Sequence, residues 1–406
     1  MTGPLTVVSR IVLGPRLVEY ELHSTALARR TGVRVLLPSD YPDGTAFPVL
    51  YLLHGGGDDF RSWTDKGGAT EATEAMPLIV VMPHAGNGFY SDWVGDDALG
   101  RPRWETFHIT ELLPWVDATF RTDARREGRA LAGLSMGGFG ALSYAARYPD
   151  LFVAAASFSG AVDTNLYTFI PNIAAGRDGG RPGAIWGHRR TSAMRWRAHN
   201  PWDLAVNLRG TALAVRTGTG LPGPLDPRGT RPDPVESIVC HESFRLHTKL
   251  RRLGIAHEWH CGNGVHDWPY WARDLRATLP LLCRTFDDPP AVLTSFRHTS
   301  AEADYAVRGW TVHVARPAME FTTLFTNRGT GSSPTGSSPT SFSLTGRGSA
   351  IVRTASWFRP GEPYTAVVDG QARRARADSE GRLTVPVPLG ASPRTVRVTI
   401  ESGWVG

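Results

Sequence analysis

Cysteine is scarce in this 406-residue chain: it occurs only at 240, 261 and 283, too few for a disulfide framework, although one bridge is possible. Lysine is scarcer still. Only Lys66 and Lys249 stand among the 44 basic residues, so the net charge of +6 is carried by arginine and reflects a compositional bias. No run of like charge stands out. The densest cluster, HRRTSAMRWRAHNP at 188–201, interleaves arginine with tryptophan but reads as a solvated connecting loop, so no nucleic-acid partner is expected. No uninterrupted apolar run approaches the roughly 18 residues of a membrane helix, and the first 20 residues lack the apolar centre of a signal peptide. A soluble protein is expected, cytoplasmic if the chain is complete and secreted if a leader has been removed. Its oligomeric state is left open.

What is present is enough apolar material, 41% of residues against 20% charged, to bury a sizeable core in about two domains. The composition shifts near residue 287. Before it, short apolar runs (VRVLLPS, PVLYLLHG, LIVVMPHAG, RALAGLS, FVAAASFSG, ALAVRTGTG) alternate with helix-like segments such as WETFHITELLPWVDATF and HESFRLHTKLRRLG. That alternation predicts a parallel sheet with helices on both faces over residues 1–287. Residues 288–293 read as a linker. From 294 to 406, alternating runs such as WTVHVA, SAIVRT, YTAVVD, RLTVPV and TVRVTI predict a small all-β sandwich. The tandem GSSPT at 331–340 reads as a flexible hairpin loop. Trp310, Trp357, Phe358 and Tyr364 could form a sugar-binding platform, but core packing is the expected use for most of them.

Residues 130–133 end a buried strand and Met136 to Arg147 read as a helix, so Gly133, Ser135 and Gly137 make G-x-S-x-G across a strand-to-helix junction. A turn this sharp strains the serine and crowds its neighbours, which is why glycine flanks it. It also lifts the Ser135 hydroxyl above the sheet's carboxyl edge, beside the amides of the next helix. Such a nucleophile needs a base late in the chain. His266, in CGNGVHDWPYW between a predicted strand and the last helix of the first domain, is the candidate among 13 histidines. His257 and His260, with His241 and His247, could suggest a metal cluster, but an ordinary mix of core and surface histidines is expected and no metal is assigned. Asp226, Asp233, Glu236 and Glu242 all stand where the orienting acid should lie, and the pattern does not choose among them. LLHGGGDD at 52–59 puts three glycines directly after a strand, so Gly56 and Met136 are the expected oxyanion amide donors.

The series LLHGGGDDFRSW, GFYSDW, RWETFHITELLPWV, GLSMGG and HDWPYW, over residues 33 to 286, resembles the α/β-hydrolase group that holds the mycobacterial mycolyltransferases of the antigen 85 complex and the esterase D-type enzymes. The resemblance implies an α/β-hydrolase sheet and an ester-handling serine enzyme with no cofactor. It transfers the acid's role to Glu242, with Glu236 next, and aligns the family's oxyanion turn with His54, Gly55 and Gly56. Where the mycolyltransferases carry an aspartate and an arginine around this turn, the chain has His54 and Gly57, so ester hydrolysis is expected rather than mycolyl transfer to trehalose. Tyr90, Trp186 and Trp268 are possible pocket walls, and residues 161–205 are expected to cap the site.

The implied substrate is a small-molecule or polymeric ester, handled through an acyl-enzyme. The alternatives are acyl transfer, if an acceptor hydroxyl outruns water, and a catalytically silent carbohydrate- or polymer-binding protein. Cys240 lies two residues before the implied acid and Cys261 five before the base, so a bridge between them would tie the two loops together. Three free thiols are the default expectation.

Overall fold

The computed structural model describes residues 5–41, 46–328 and 340–403. Apart from Thr340, the GSSPT tandem lies outside the described residues. The chain divides into two compact units, Met1–Pro290 and Ala291–Gly406.

The first unit is built on nine strands: β1 (Thr6–Val12), β2 (Leu17–Ser24), β3 (Arg29–Leu36), β4 (Val49–Leu53), β5 (Ile79–Pro83), β6 (Arg129–Leu134), β7 (Ala154–Phe158), β8 (Ala212–Gly218) and β9 (Glu258–Gly262). Their order is β1-β2-β3-β5-β4-β6-β7-β8-β9. The β1/β2, β2/β3 and β3/β5 pairs are antiparallel, and every pair from β5/β4 to β8/β9 is parallel. Every residue of β4, β5, β6 and β7 is buried, as expected of parallel strands covered on both faces. At the outer edge, β1 is exposed along its whole length and β2 alternates.

Four helices position the functional residues: α1 (Met136–Arg147), α2 (Phe169–Arg177), α3 (Pro234–Arg252) and α4 (Trp268–Asp287). Trp271, Leu275, Leu279 and Leu282, at helical spacing on α4, pack against alternate strand residues Leu50, Leu52, Val80, Ala130, Ala132 and Ala154. Helical turns at Trp104–Thr106, Phe107–Leu112 and Leu113–Thr119 carry the WETFHITELLPWVDATF segment. No helix among the described residues is long and apolar enough to cross a membrane.

The second unit is antiparallel throughout. Its strands are β10 (Phe296–Ser300), β11 (Asp304–Val307), β12 (Trp310–Ala315), β13 (Thr322–Arg328), β14 (Thr340–Arg353), β15 (Pro363–Val368), β16 (Gln371–Arg376) and β17 (Thr384–Ser402). The main order is β10-β13-β14-β17-β15-β16, and β12 joins β11 to β14. The long strands β14 and β17 pair with each other, and their register shifts around Gly346 and Gly348. Gly348 permits the bend: its φ is 92°, and a Cβ there would fall 2.1 Å from the Ala315 carbonyl oxygen. Trp310, Val312, Leu324, Leu344, Val385 and Val398 belong to the buried core of this unit. Tyr364 is buried in the same cluster, and Trp357 and Phe358 pack against it, so these aromatics serve the core.

Trp310 has no exposed surface and meets Phe342 and Trp357 edge-on at 5.3 and 5.2 Å. Trp310→Ala is expected to remove about 3–5 kcal/mol from the stability of this unit, read by denaturant unfolding.

Candidate active site

The chain leaves β6 and enters α1 within one residue, Ser135, whose backbone sits at φ 52° and ψ −116°. A non-glycine residue holds such a conformation only where its surroundings over-determine it. Here they do. A Cβ on Gly133 would lie 2.4 Å from the Gly137 carbonyl oxygen, and one on Gly137 would lie 2.4 Å from that of Leu53. Glycine at both positions lets α1 start directly over the end of β4.

His266 lies in the turn between β9 and α4. Its Nε2 is 2.9 Å from Ser135 Oγ and its Nδ1 is 2.6 Å from Glu236 Oε2. A carboxylate at Nδ1 puts the ring proton there and leaves Nε2 to accept from the serine hydroxyl. The imidazole also stands edge-on to Trp271, 4.9 Å between ring centroids.

Glu236 is completely buried in the first turn of α3. Its second oxygen, Oε1, accepts from Ser159 Oγ at 2.7 Å, Thr217 Oγ1 at 3.1 Å and the Gly218 amide at 2.5 Å. Donors from the ends of β7 and β8 and from the His266 ring thus replace the water this carboxylate has lost. Asp233 caps α3 through the Val235 and Glu236 amides, and its other oxygen accepts from the His266 amide at 3.1 Å. One aspartate therefore ties the backbone of Glu236 to the backbone of His266.

Glu242, the acid implied by the resemblance, does not reach His266. Six residues along a helix is about 240° of rotation, which turns it away from Glu236's face. Glu242 Oε2 accepts only the Asp163 amide, at 3.3 Å, and Oε1 has no partner among the described residues. Burial with so little compensation pushes its carboxyl up to about 8. Asp226 is also elsewhere, accepting from Tyr270 Oη at 2.7 Å.

The oxyanion turn follows β4. A Cβ on Gly55 would lie 3.4 Å from Ser135 Cβ, which places the turn directly against the serine. The Gly57 amide is committed to Asn87 Oδ1 at 2.7 Å, while the Gly56 and Met136 amides make no hydrogen bond among the described residues. Asn87 is itself held twice by Asp178, through its backbone amide at 2.6 Å and its Nδ2 at 2.7 Å. Asp178 directly follows α2, so the 161–205 segment reaches the oxyanion turn through this pair. Reading the sequence did not find Asn87 or Asp178, because neither belongs to a motif and their meeting depends on a contact 91 residues apart.

His54 supports the turn from behind. Its Nε2 accepts from the Ala85 amide at 2.9 Å and its Nδ1 donates to the Gly55 carbonyl at 2.8 Å. Burial drives its pKa down to about 4, so the ring is neutral. Tyr90 donates its hydroxyl to the His54 carbonyl at 2.9 Å and is buried, which corrects its assignment as a pocket wall. Trp186 is corrected likewise: it has no exposed surface and packs among Phe89, Phe139 and Trp196. Trp268 remains partly exposed at the start of α4, edge-on to Trp63 and Trp271. His247 and His257 hydrogen-bond to each other at 2.8 Å, and no group of three potential metal ligands occurs among the described residues.

The profile of the putative esterase family matches residues 24–282. An esterase of Mycobacterium tuberculosis is 38% identical over 277 residues, covering 64% of this chain and 58% of its own length. The chain thus spans little more than half of that relative. The diacylglycerol acyltransferase/mycolyltransferase Ag85B of Mycolicibacterium smegmatis is 33% identical over 259 residues, 59% of this chain and 78% of its own. Among solved structures, a ferulic acid esterase superposes with a TM-score of 0.51 at 26% identity, over 67% of this chain and 98% of that one. MPT51 of Mycobacterium tuberculosis superposes with a TM-score of 0.54 over 70% of this chain and 99% of that one; at 24% identity it shows the shared fold.

Glu236→Gln should lower kcat on an activated ester by roughly 10²- to 10⁴-fold, while Glu242→Gln should leave it nearly unchanged. The second substitution should show in stability instead. The folded-state value of Glu242, about 8, lies above its ordinary 4.5. The native state therefore keeps this proton longer than the unfolded chain, and stability falls as pH rises through that window. Glu242→Gln should flatten the fall, read as Tm against pH. Separately, Asn87→Ala should loosen the oxyanion turn and lower kcat roughly 10- to 100-fold with little change in KM, measured by steady-state kinetics.

Proposed function

Because the chain belongs to the putative esterase family, we propose that it is a serine esterase that hydrolyses carboxylic esters through an acyl-enzyme. The observation that carries this reading is the unbroken line from Ser135 Oγ through the His266 ring to Glu236, at 2.9 and 2.6 Å, on a serine held at a positive φ. The M. tuberculosis relative named as an esterase supports the same reading.

The chemistry runs as follows. His266 Nε2 takes the Ser135 proton as Oγ attacks the ester carbonyl carbon. The negative charge that develops on the carbonyl oxygen is met by the Gly56 and Met136 amides, with the start of α1 adding its partial positive charge. Glu236 holds the ring in the receptive tautomer and stabilises the imidazolium without taking its proton. The imidazolium protonates the departing alcohol, leaving Ser135 acylated. Water, deprotonated by His266, then attacks the acyl group and releases the carboxylic acid.

Acyl transfer is a second reading, favoured by the 33% identity to a relative named diacylglycerol acyltransferase/mycolyltransferase. The acyl-enzyme is common to both; the outcome depends on whether water or an acceptor hydroxyl arrives first. The silent binding-protein alternative receives no support from a site in which serine, base and acid stand within hydrogen-bonding reach.

Hydrolysis of p-nitrophenyl esters from acetate to long acyl chains tests the proposal. The wild-type chain should turn them over, and a serine-directed phosphonate should abolish turnover while labelling the peptide that carries Ser135. Ser135→Ala should lower kcat by roughly 10⁴-fold or more. An unchanged rate in that variant would overturn the proposal. Added alcohol acceptors, with products resolved by mass, separate transfer from hydrolysis.

A further inference from the structure

Two of the three thiols lie side by side next to the acid. Cys240 is on α3, one turn after Glu236 and on the same face, and Cys261 is on β9; their sulfurs are 3.7 Å apart and not bonded. Cys261 is exposed, on the strand that closes the sheet's free edge, and Cys240 is half-buried behind it. The β8 residue paired with Cys261 is Thr217, whose hydroxyl donates to Glu236. The third thiol, Cys283, has Met76 Sδ as its sulfur neighbour at 3.7 Å and no thiol partner.

We propose that Cys240 and Cys261 are a modification site, a dithiol that a small-molecule disulfide converts to an intramolecular bridge, clamping the helix that carries Glu236 to the strand that leads into the His266 turn. Closing the bridge needs the sulfurs to come to about 2.05 Å, a movement of under 2 Å that side-chain rotation and the free strand edge can supply. The exposed Cys261 thiolate attacks the small disulfide, forming a mixed disulfide and releasing one small thiol. The Cys240 sulfur then gives up its proton, displaces the second small thiol from Cys261 and completes the bridge. One disulfide bond is broken and one formed, the small disulfide is reduced to two thiols, and the protein loses two hydrogens. Exposure assigns the first attack to Cys261 and the resolving step to the half-buried Cys240, whose thiol is pushed up by burial and by the neighbouring Cys261 sulfur.

A bridge across 21 residues of sequence restricts the unfolded chain and fastens the acid's helix beside the base's strand. The test uses the full chain with oxidised glutathione as the probe. One free thiol should remain on denaturation, a peptide pair joining Cys240 to Cys261 should appear in the digest, and Tm should rise by roughly 5 °C and fall back on reduction. Cys240→Ser and Cys261→Ser should each abolish the rise, and Cys283→Ser should keep it. Three remaining thiols, a stable glutathione adduct at Cys261, or a bridge that forms without raising Tm would each overturn the proposal. These readouts do not depend on the esterase reading. A longer half-life of p-nitrophenyl acetate hydrolysis at elevated temperature in the bridged form does rest on it, and a chain inactive in both redox states would count against that reading alone.

Discussion

A carboxylate with no exposed surface organises this site. Glu236 has surrendered its hydration, and the cost is offset by four donors drawn from separate places in the chain: Ser159 after β7, Thr217 and Gly218 at the end of β8, and the His266 ring after β9. Satisfying one buried charge therefore fixes the ends of three strands relative to one another, and with them the histidine. The comparison within α3 is instructive. Glu242 is equally buried but has a single hydrogen bond, and burial lifts it to about 8. The difference between an orienting carboxylate and a structural acid on the same helix is the number of donors each finds.

The second constraint is steric. Ser135 holds a left-handed backbone because β6, α1 and β4 approach too closely for any residue but glycine at 133 and 137. The glycine turn after β4 is braced by two neutral groups, His54 and Tyr90, and by Asn87, which Asp178 holds in turn. A neutral His54 suits this position, since it braces the backbone through the Ala85 amide and the Gly55 carbonyl without placing a titrating charge near Ser135. The Gly56 and Met136 amides make no hydrogen bond among the described residues, while the groups around them are committed to partners of their own.

Much of this was legible in the sequence where a local backbone rule is strict. Gly133, Ser135 and Gly137 around a strand-to-helix turn, and the glycines after β4, are conformational necessities and were readable as such. Chain order singled out His266, which lies 2.9 Å from Ser135 Oγ. The acid is not legible in this way: the pattern leaves Asp226, Asp233, Glu236 and Glu242 open and the resemblance points to Glu242, whereas a helix places residues by rotation and the Asp233–Pro234 start puts Glu236 in the first turn, facing His266. Tyr90 and Trp186 were misassigned because an aromatic near a cleft in sequence is as readily its foundation as its wall. In the second unit, β12, β14, β15 and β17 announced themselves by alternation, whereas β16, reading QARRAR, is almost entirely exposed and carries no apolar face to find.

Glu236, and not Glu242, holds the Nδ1 side of the His266 ring. Proton NMR of the chain with ¹⁵N-labelled histidine reads this hydrogen bond, because an imidazole N–H bonded to a buried carboxylate resonates far downfield and its nitrogen coupling assigns it. Such a proton is expected on His266 Nδ1, lost in Glu236→Gln and retained in Glu242→Gln. A resonance that survives the first substitution and vanishes in the second would contradict it.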